Sequence, residues 1–324
     1  MILRAAVTAS IALAAGAPPS VSSFGAWSAA GNRIAFVGTI GGRSGLWTQS
    51  FGSSRATRLG PATCGKGTEQ IDQLAAGPNG SWGCLERTVG NTESYYSVAV
   101  VSARGAATHV ATAGGKTGKP VDSIPQLVGD GSFLGYIRVT AGGAVQLYRI
   151  TPSGRGTRVA NLAGAPLPTA TAVSRGTIAL LGTNGSVAVY TTAGRRLATI
   201  KAKAASLAVT ATRVLVRTRD RRLVVYGLRG GLVHSWRLGA KTWTAGLATD
   251  GRYAAYLGAN KAVRVMRLSN GVDRVLARAG SGWFFNGVSL DVPGAAAPLT
   301  AQRGKAFTVT WRYVPRSALR KTLG

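Results

Sequence analysis

Residues that could act as general acids, general bases or metal ligands are scarce in this chain. It contains 10 Asp and Glu residues and two histidines, His109 and His234. No group of His and Cys has the spacing of a metal site, and no Asp-rich run resembles a calcium loop. No serine lies in a nucleophile motif. The sequence therefore predicts no enzyme activity, no metal and no cofactor.

Two segments approach the pattern of a phosphate-binding loop without completing it. The segment from Gly60 to Gly67 has the Gly-x4-Gly-Lys frame, but Gly67 stands where a hydroxyl residue would hold magnesium. The segment from Gly114 to Lys119 contains Gly-Lys-Thr, but Val110 replaces the first glycine. Neither segment precedes a helical pattern, so we expect no nucleotide site.

The two cysteines, Cys64 and Cys84, form an isolated pair. In an exported protein such a pair favours a disulfide, which would close a loop of about 20 residues and contribute about 3 kcal/mol. The alternative is two buried thiols, because the strand pattern places Cys64 in a connection and Cys84 within a strand.

The charge is strongly unbalanced, with 39 Lys and Arg residues and a formal net charge of +29. Such a surface favours polyanions as partners: an acidic protein, an anionic polymer of the cell envelope or a nucleic acid. The abundance of Arg, Ala and Gly also fits GC-rich coding. The charge alone therefore leaves open whether it is functional or compositional.

Residues 1–20 have the features of a secretory signal peptide. Arg4 is followed by an apolar run from Ala5 to Ala17. This run is shorter than the roughly 20 residues that cross a bilayer, so we expect no transmembrane span. The sequence predicts a signal peptide over 1–20 and a mature domain over 21–324. The location would be secreted, periplasmic or in the cell envelope, where nucleic acid is not an expected partner.

Short segments of alternating apolar residues recur along the chain. One equivalent position in each unit is occupied by Trp47, Ala99, Tyr148, Tyr190, Tyr226, Met266 and Trp311. The spacing of these positions, 36 to 52 residues, is typical of a β-propeller, and helical periodicity is nearly absent. We predict an all-β fold with one propeller of seven four-stranded blades; six or eight blades are the alternative.

The sixth unit shows the expected strands most clearly, over about 244–248, 253–257, 263–268 and 272–277. Asp250-Gly251 supplies the tight turn between its first two strands. Asn79-Gly80 and Asp130-Gly131 occupy the same turn in the second and third units.

Two of these units resemble a known family of repeats. "WSAAGNRIAFVG", from Trp27 to Gly38, and "LATDGRYAAYLG", from Leu247 to Gly258, are similar to the TolB-type, WD-like propeller repeat. That repeat has the form Trp-Ser-Pro-Asp-Gly, two variable residues, then Ile-Ala-Phe. The resemblance implies a propeller with a scaffold role. We do not expect the partner of TolB, because the predicted propeller leaves no room in this sequence for the additional N-terminal domain of that protein.

The strand pattern assigns most lysines to one face of the ring. Connections from the fourth strand of one blade to the first strand of the next emerge on the same face as the turns between second and third strands. This face is expected to carry eight lysines, namely Lys66, Lys116, Lys119, Lys201, Lys203, Lys241, Lys261 and Lys305. Longer connections would also collect lysines, so the bias has a structural alternative.

We predict that this face binds a protein or an anionic envelope polymer. The leading contacts are Lys116, Lys119, Lys201, Lys203 and Arg221, and Trp243 and Trp283, placed in connections, would stack beside them. The chain is expected to act as a monomeric binding or scaffold module. The alternative is a propeller lyase or hydrolase with a pocket at the ring axis, for which Asp72, Asp122 and Asp291 are the available carboxylates.

Overall fold

A computed structural model describes residues 21–53, 55–63, 71–89, 93–116, 119–238, 242–258, 262–281, 283–285, 287–291, 294–303 and 306–323. The predicted signal peptide lies outside these residues and stays a prediction. Within the described part, no helix combines the length and the hydrophobicity needed to cross a membrane.

The first three blades each contain four antiparallel strands in chain order. Blade 1 contains β1 (Val21–Ala30), β2 (Arg33–Ile40), β3 (Arg43–Ser50) and β4 (Ala56–Gly60). Blade 2 contains β5 (Ile71–Ala76), β6 (Trp82–Val89), β7 (Glu93–Val101) and β8 (Ala107–Lys116). Blade 3 contains β9 (Ser123–Gly129), β10 (Leu134–Val139), β11 (Val145–Ile150) and β12 (Gly156–Asn161).

Blades 4 to 6 continue this order, whereas in blade 7 the first two strands both pair with the third. Blade 4 contains β13 (Pro168–Ser174), β14 (Thr177–Gly182), β15 (Ser186–Thr191) and β16 (Arg196–Lys201). Blade 5 contains β17 (Ala204–Val209), β18 (Arg213–Thr218), β19 (Arg222–Gly227) and β20 (Leu232–Arg237). Blade 6 contains β21 (Thr242–Thr249), β22 (Tyr253–Gly258), β23 (Ala262–Arg267) and β24 (Asp273–Arg278). Blade 7 contains β25 (Trp283–Phe285), β26 (Ser289–Asp291), β27 (Gly294–Arg303) and β28 (Ala306–Pro315).

The blades form a closed ring around an axis. Their inner strands neighbour one another in the order β1, β5, β9, β13, β17, β21 and β26, and β26 contacts β1 again. A further link joins the two ends of the chain, because Val309 in β28 pairs with Val21 in β1. Blades 1 and 7 thus form one continuous eight-stranded sheet. The predicted all-β propeller of seven four-stranded blades is confirmed.

The core lies between the blades rather than in one central mass. Seven clusters of buried residues fill the seven gaps between neighbouring blades. In β18, Val214 and Val216 pack toward blade 4, whereas Leu215 packs toward blade 6. Since successive side chains of a strand point to opposite faces, each blade covers both of its neighbours, and no helical layer is needed.

The predicted turns are confirmed at the positions named from the sequence. Gly131 and Gly251 have φ values of 86° and 88°, and Asn79 has a φ of 57°. All three lie in turns between the first and second strands of their blades. Gly and Asn adopt these left-handed angles more readily than other residues do, so they are suited to the tight turns here.

The end of the chain departs from the expected pattern. Helical periodicity is nearly absent from the sequence, but Pro315 closes β28 and a helix, α1 (Arg316–Leu323), follows. Leu319 and Leu323, one helical turn apart, are buried against blades 6 and 7. In a helix, residues i and i+4 lie on the same face one turn apart, so both leucines reach the same apolar cluster.

Candidate functional site

The lysine face is defined by Lys116, Lys119, Lys201, Lys203 and Arg221, and all five residues are exposed. Lys116 and Lys201 are the last residues of β8 and β16, and the other three lie in connections on the same side of the ring. The four other lysines assigned to this face lie outside the described residues, namely Lys66, Lys241, Lys261 and Lys305.

Two predicted contact residues meet where blades 4 and 5 adjoin. Lys203 lies in the connection from β16 to β17, and Arg221 lies in the turn from β18 to β19. The backbone N–H of Arg219 donates to the carbonyl oxygen of Lys203 at 3.1 Å, so the connection and the turn touch. The carbonyl oxygen of Arg221 in turn accepts the N–H of Leu238 at 2.8 Å.

Both residues hold an unusual backbone conformation. The φ value is 48° at Lys203 and 64° at Arg221. Left-handed angles cost a residue with a Cβ roughly 1 to 2 kcal/mol, and glycine avoids this cost. Two cationic side chains therefore stand on adjacent segments where glycine would be the less strained choice.

Further cations surround these two residues. Six exposed residues make up what we call the basic patch: Lys201, Lys203, Arg219, Arg221, Arg222 and Arg237. Arg222 and Arg237 lie directly opposite each other across β19 and β20. Like charges in this position repel, so an anion placed between them would be stabilised. A groove of about 470 Å³ lies beside Arg221 and Arg237.

One carboxylate, Asp220, lies within this region. The Thr218 hydroxyl, followed by the positive charges of Arg222 and Lys203, holds the pKa of Asp220 below its ordinary value. Asp220 is therefore ionised at neutral pH and offsets only one of the positive charges around it.

Lys116 and Lys119 lie apart from the basic patch, at the passage from blade 2 to blade 3. The adjacent carboxylate, Asp122, accepts the N–H of Ala141 at 2.8 Å and forms an ion pair with Arg138. These two interactions hold the pKa of Asp122 below its ordinary value against a small opposing effect of burial. Asp122 is thus committed to Ala141 and Arg138 rather than to the two lysines.

The two tryptophans do not lie in connections as expected. The backbone of Trp243 belongs to β21, and that of Trp283 belongs to β25, where it pairs with Ala301. Trp283 packs against the apolar cluster between blades 6 and 7. The side chain of Trp243 lies outside the described residues, and so does Cys64. Cys84 is fully buried in β6, and its bridge to Cys64 stays a prediction.

The three carboxylates of the enzyme alternative do not converge. Asp72, near the start of β5, forms an ion pair of 3.6 Å with Arg87. Asp122 precedes β9, whereas Asp291 ends β26, at the opposite face of the ring. Within the described residues, no group of three or more His, Cys, Asp or Glu could hold a metal ion.

The opposite face, which we call the turn face, opens into a cavity that the sequence did not indicate. This axial cavity measures about 900 Å³ and is lined by the turns between the first and second strands of the blades. Its charged lining residues are Arg33, Asp130, Arg175, Asp250 and Arg316. One feature of the sequence could have pointed to this cavity. In the turn between its first and second strands, blade 4 has Arg175-Gly176, whereas blades 2, 3 and 6 have Asn-Gly or Asp-Gly.

Known proteins resemble this chain in fold but not closely in sequence. No protein-family model and no curated protein matches it. The crystal structure of BamB from Moraxella catarrhalis is 13% identical, with a TM-score of 0.47 over 91% of this chain and 83% of that one. A chain of the mitotic checkpoint complex is 12% identical, with a TM-score of 0.49 over 74% of this chain and 79% of that one. Similarities this weak do not identify a ligand or partner.

Proposed function

We propose that this propeller is an exported, non-catalytic binding module of the TolB type that acts as a monomer. Its lysine face would hold an acidic polymer or an acidic protein of the cell envelope. The observation that carries the proposal is the basic patch of blades 4 and 5, where Lys203 and Arg221 keep left-handed backbones on two hydrogen-bonded segments.

The strain at these two positions supports a role for the side chains. Replacement of either residue by glycine would relieve a cost of roughly 1 to 2 kcal/mol. Strained residues that persist in a fold are concentrated at functional sites. Because both side chains are exposed, packing does not account for their presence. Binding of an anion does account for it.

The form of the patch favours an extended partner. Its six cations are spread over a connection, a turn and the ends of two strands, rather than gathered in one deep pocket. A linear polyanion can contact such a surface at several points, and each neutralised charge releases a counterion. The affinity should therefore fall steeply as salt is added.

Three variants with matched substitutions test the proposal. The patch variant combines Lys201→Ser, Lys203→Gly, Arg219→Ser and Arg221→Gly. The control variant replaces four exposed arginines of the turn face by serine, namely Arg155, Arg195, Arg196 and Arg229. A third variant, Lys116→Ser with Lys119→Ser, tests the second connection. The probe is poly-L-glutamate, titrated at several salt concentrations.

We expect the patch variant to lose at least about tenfold in affinity at low salt and to show a shallower dependence on salt. The control variant removes the same charge and should stay within about twofold of the unmodified protein. An equal loss in the two variants would show that only net charge matters, and it would refute a site on the lysine face.

A further inference from the structure

Some of the charged side chains that line the axial cavity of the turn face are already bound by other residues of the protein, and others are not. All seven blades contribute to its lining. The cavity volume lies within the 300 to 1,000 Å³ that is usual for small-ligand sites. Five inner strands are edge strands of their sheets, so one edge of each has no strand partner within its sheet: β5, β9, β13, β17 and β21.

The carboxylate of Asp130 is fully engaged in structure. Its Oδ1 atom accepts the N–H of Ser132 at 2.9 Å, the hydroxyl of Ser132 at 2.8 Å and the N–H of Phe133 at 2.8 Å. Its Oδ2 atom accepts the N–H of Arg175 at 2.7 Å. Asp130 is therefore available neither as a base nor as a metal ligand.

The carboxylate of Asp250 is engaged in the same way. Its Oδ1 atom accepts the N–H groups of Arg252 and Tyr253, both at 2.8 Å. Its Oδ2 atom forms an ion pair with Arg316 at the start of α1. One of the three arginines of the cavity is thereby neutralised.

The other two arginines of the cavity have no ion-pair partner among the described residues, although the carboxylate of Asp130 lies beside the backbone of Arg175. The guanidinium groups of Arg33 and Arg175 form no hydrogen bond or ion pair with any other described residue. Arg33 belongs to blade 1 and Arg175 to blade 4, so they approach the cavity from different parts of the ring. Guanidinium groups present forked donors that match carboxylate and phosphate oxygens.

Arg175 occupies a position at which arginine is unfavourable. It has a φ of 42° and Gly176 has a φ of 86°, so both residues of this tight turn are left-handed. Blade 2 fills the corresponding turn with Asn79 and Gly80, the residue types that such turns prefer. The hydrogen bond that the Arg175 N–H donates to Asp130 holds the Arg175 backbone in place. An arginine is thus kept at the cavity despite a cost that asparagine or glycine would avoid.

We propose that the axial cavity binds a small hydrophilic anion with two or more carboxylate or phosphate groups, and that Arg33 and Arg175 bind these groups. The site lies on the opposite face from the basic patch and involves none of its residues. This proposal therefore does not depend on whether the lysine face binds a polymer.

Citrate and inorganic pyrophosphate are suitable probes, and each is titrated into the protein by calorimetry. The test variant is Arg175→Gly, because the left-handed backbone suits glycine and the fold should be at least as stable as before. The charge-matched control is Arg229→Gly, an exposed arginine on the same face that does not line the cavity. Arg33→Gln tests the second contact without disturbing Arg175.

We expect at least one of the two anions to bind the unmodified protein with a dissociation constant below about 1 mM. Arg175→Gly and Arg33→Gln should each weaken this binding about tenfold, and Arg229→Gly should leave it within about twofold. Dissociation constants above about 1 mM for both anions would overturn the proposal. An equal loss in Arg175→Gly and Arg229→Gly would overturn it as well.

Discussion

Asp130 in blade 3 accepts a hydrogen bond from the backbone N–H of Arg175 in blade 4, with 2.7 Å between Oδ2 and the nitrogen. The same turn reaches the other neighbouring blade, because the N–H of Gly131 donates to the carbonyl oxygen of Ala76 at 3.1 Å. One Asp-Gly turn therefore joins three consecutive blades at the rim of the axial cavity.

The first prediction concerns the stability that Asp130 supplies. Partial burial raises the pKa of Asp130, but hydrogen bonds from Phe133, Ser132 and Arg175 outweigh this effect and hold the pKa below its ordinary value. Asp130→Asn should therefore lower the free energy of unfolding by about 2 kcal/mol at pH 7. A carboxyl group with a lowered pKa stabilises the fold above its unfolded pKa, near 4, and this stabilisation is lost as the pH falls through the folded pKa.

Urea titrations of Asp130→Asn from pH 3 to pH 7 measure this effect. The difference from the unmodified protein should shrink below about pH 4. The matched control is Asp72→Asn, whose more exposed ion pair with Arg87 should contribute at most about 1 kcal/mol. A difference at Asp130 that does not change with pH would contradict the prediction.

The second prediction concerns Arg217, a cation buried between blades 5 and 6. It is 2% exposed, its Nε donates to the Ser206 hydroxyl at 3.0 Å, and its Nη2 has no hydrogen-bond partner among the described residues. Burial lowers the pKa of Arg217, since the charged form has lost its water. Arg217→Met should raise the free energy of unfolding by about 1 to 3 kcal/mol in chemical denaturation.

The control for Arg217→Met is Arg213→Met, a half-buried arginine at the start of the same strand. It should change the free energy of unfolding by less than about 0.5 kcal/mol. A clear loss of stability in Arg217→Met would mean that the buried guanidinium has an anionic partner, and the prediction would be wrong.

The third prediction concerns the C-terminal helix. Leu319 is fully buried among residues of blades 6 and 7, and Arg267 Nη2 donates to the carbonyl oxygen of Leu323 at 2.7 Å. Leu319→Ala should lower the free energy of unfolding by about 2 to 5 kcal/mol because it leaves a cavity between blades 6 and 7. Thermal and urea unfolding measure the loss. The exposed Arg320→Ala should change stability by less than about 0.5 kcal/mol, and equal effects would count against a structural role for α1.

The fourth prediction concerns the cysteines. We expect Cys64 and Cys84 to be bridged in exported protein, so thiol labelling under denaturing, non-reducing conditions should find no reactive thiol. Reduction should then lower the free energy of unfolding by about 3 kcal/mol, the contribution expected from closing a loop of about 20 residues. Detection of two reactive thiols per chain without reduction would refute the bridge.

The sequence alone determined the repeat and the strands within it. In the sixth unit, the predicted segments 244–248, 253–257, 263–268 and 272–277 agree closely with β21 to β24. Six of the seven positions chosen as equivalent lie in the third strands of blades 1 to 6, and the seventh, Trp311, lies in β28, the last strand of blade 7. Alternation of apolar residues and Asp-Gly turns are local properties, so they can be recognised without knowledge of which strands meet.

In the seventh unit, the local sequence pattern was not sufficient to assign the strands. Its inner edge is divided between two three-residue strands, β25 and β26, which are too short to show alternation. Trp283 was therefore assigned to a connection, although it lies in β25. The chain then forms a helix, in which Leu319 and Leu323 are buried against both blade 6 and blade 7.

The tertiary structure alone decided how the charges are grouped. It brings the segment of Lys203 against the turn of Arg221, separates both from Lys116, and places Arg33 and Arg175 around one cavity. The left-handed backbone conformations at Lys203, Arg221 and Arg175 could not be predicted from the sequence either, since Lys and Arg are not residue types that favour such angles. The physical reason is ring closure: a repeat specifies each blade, but the contacts between connections depend on how the blades pack around the axis.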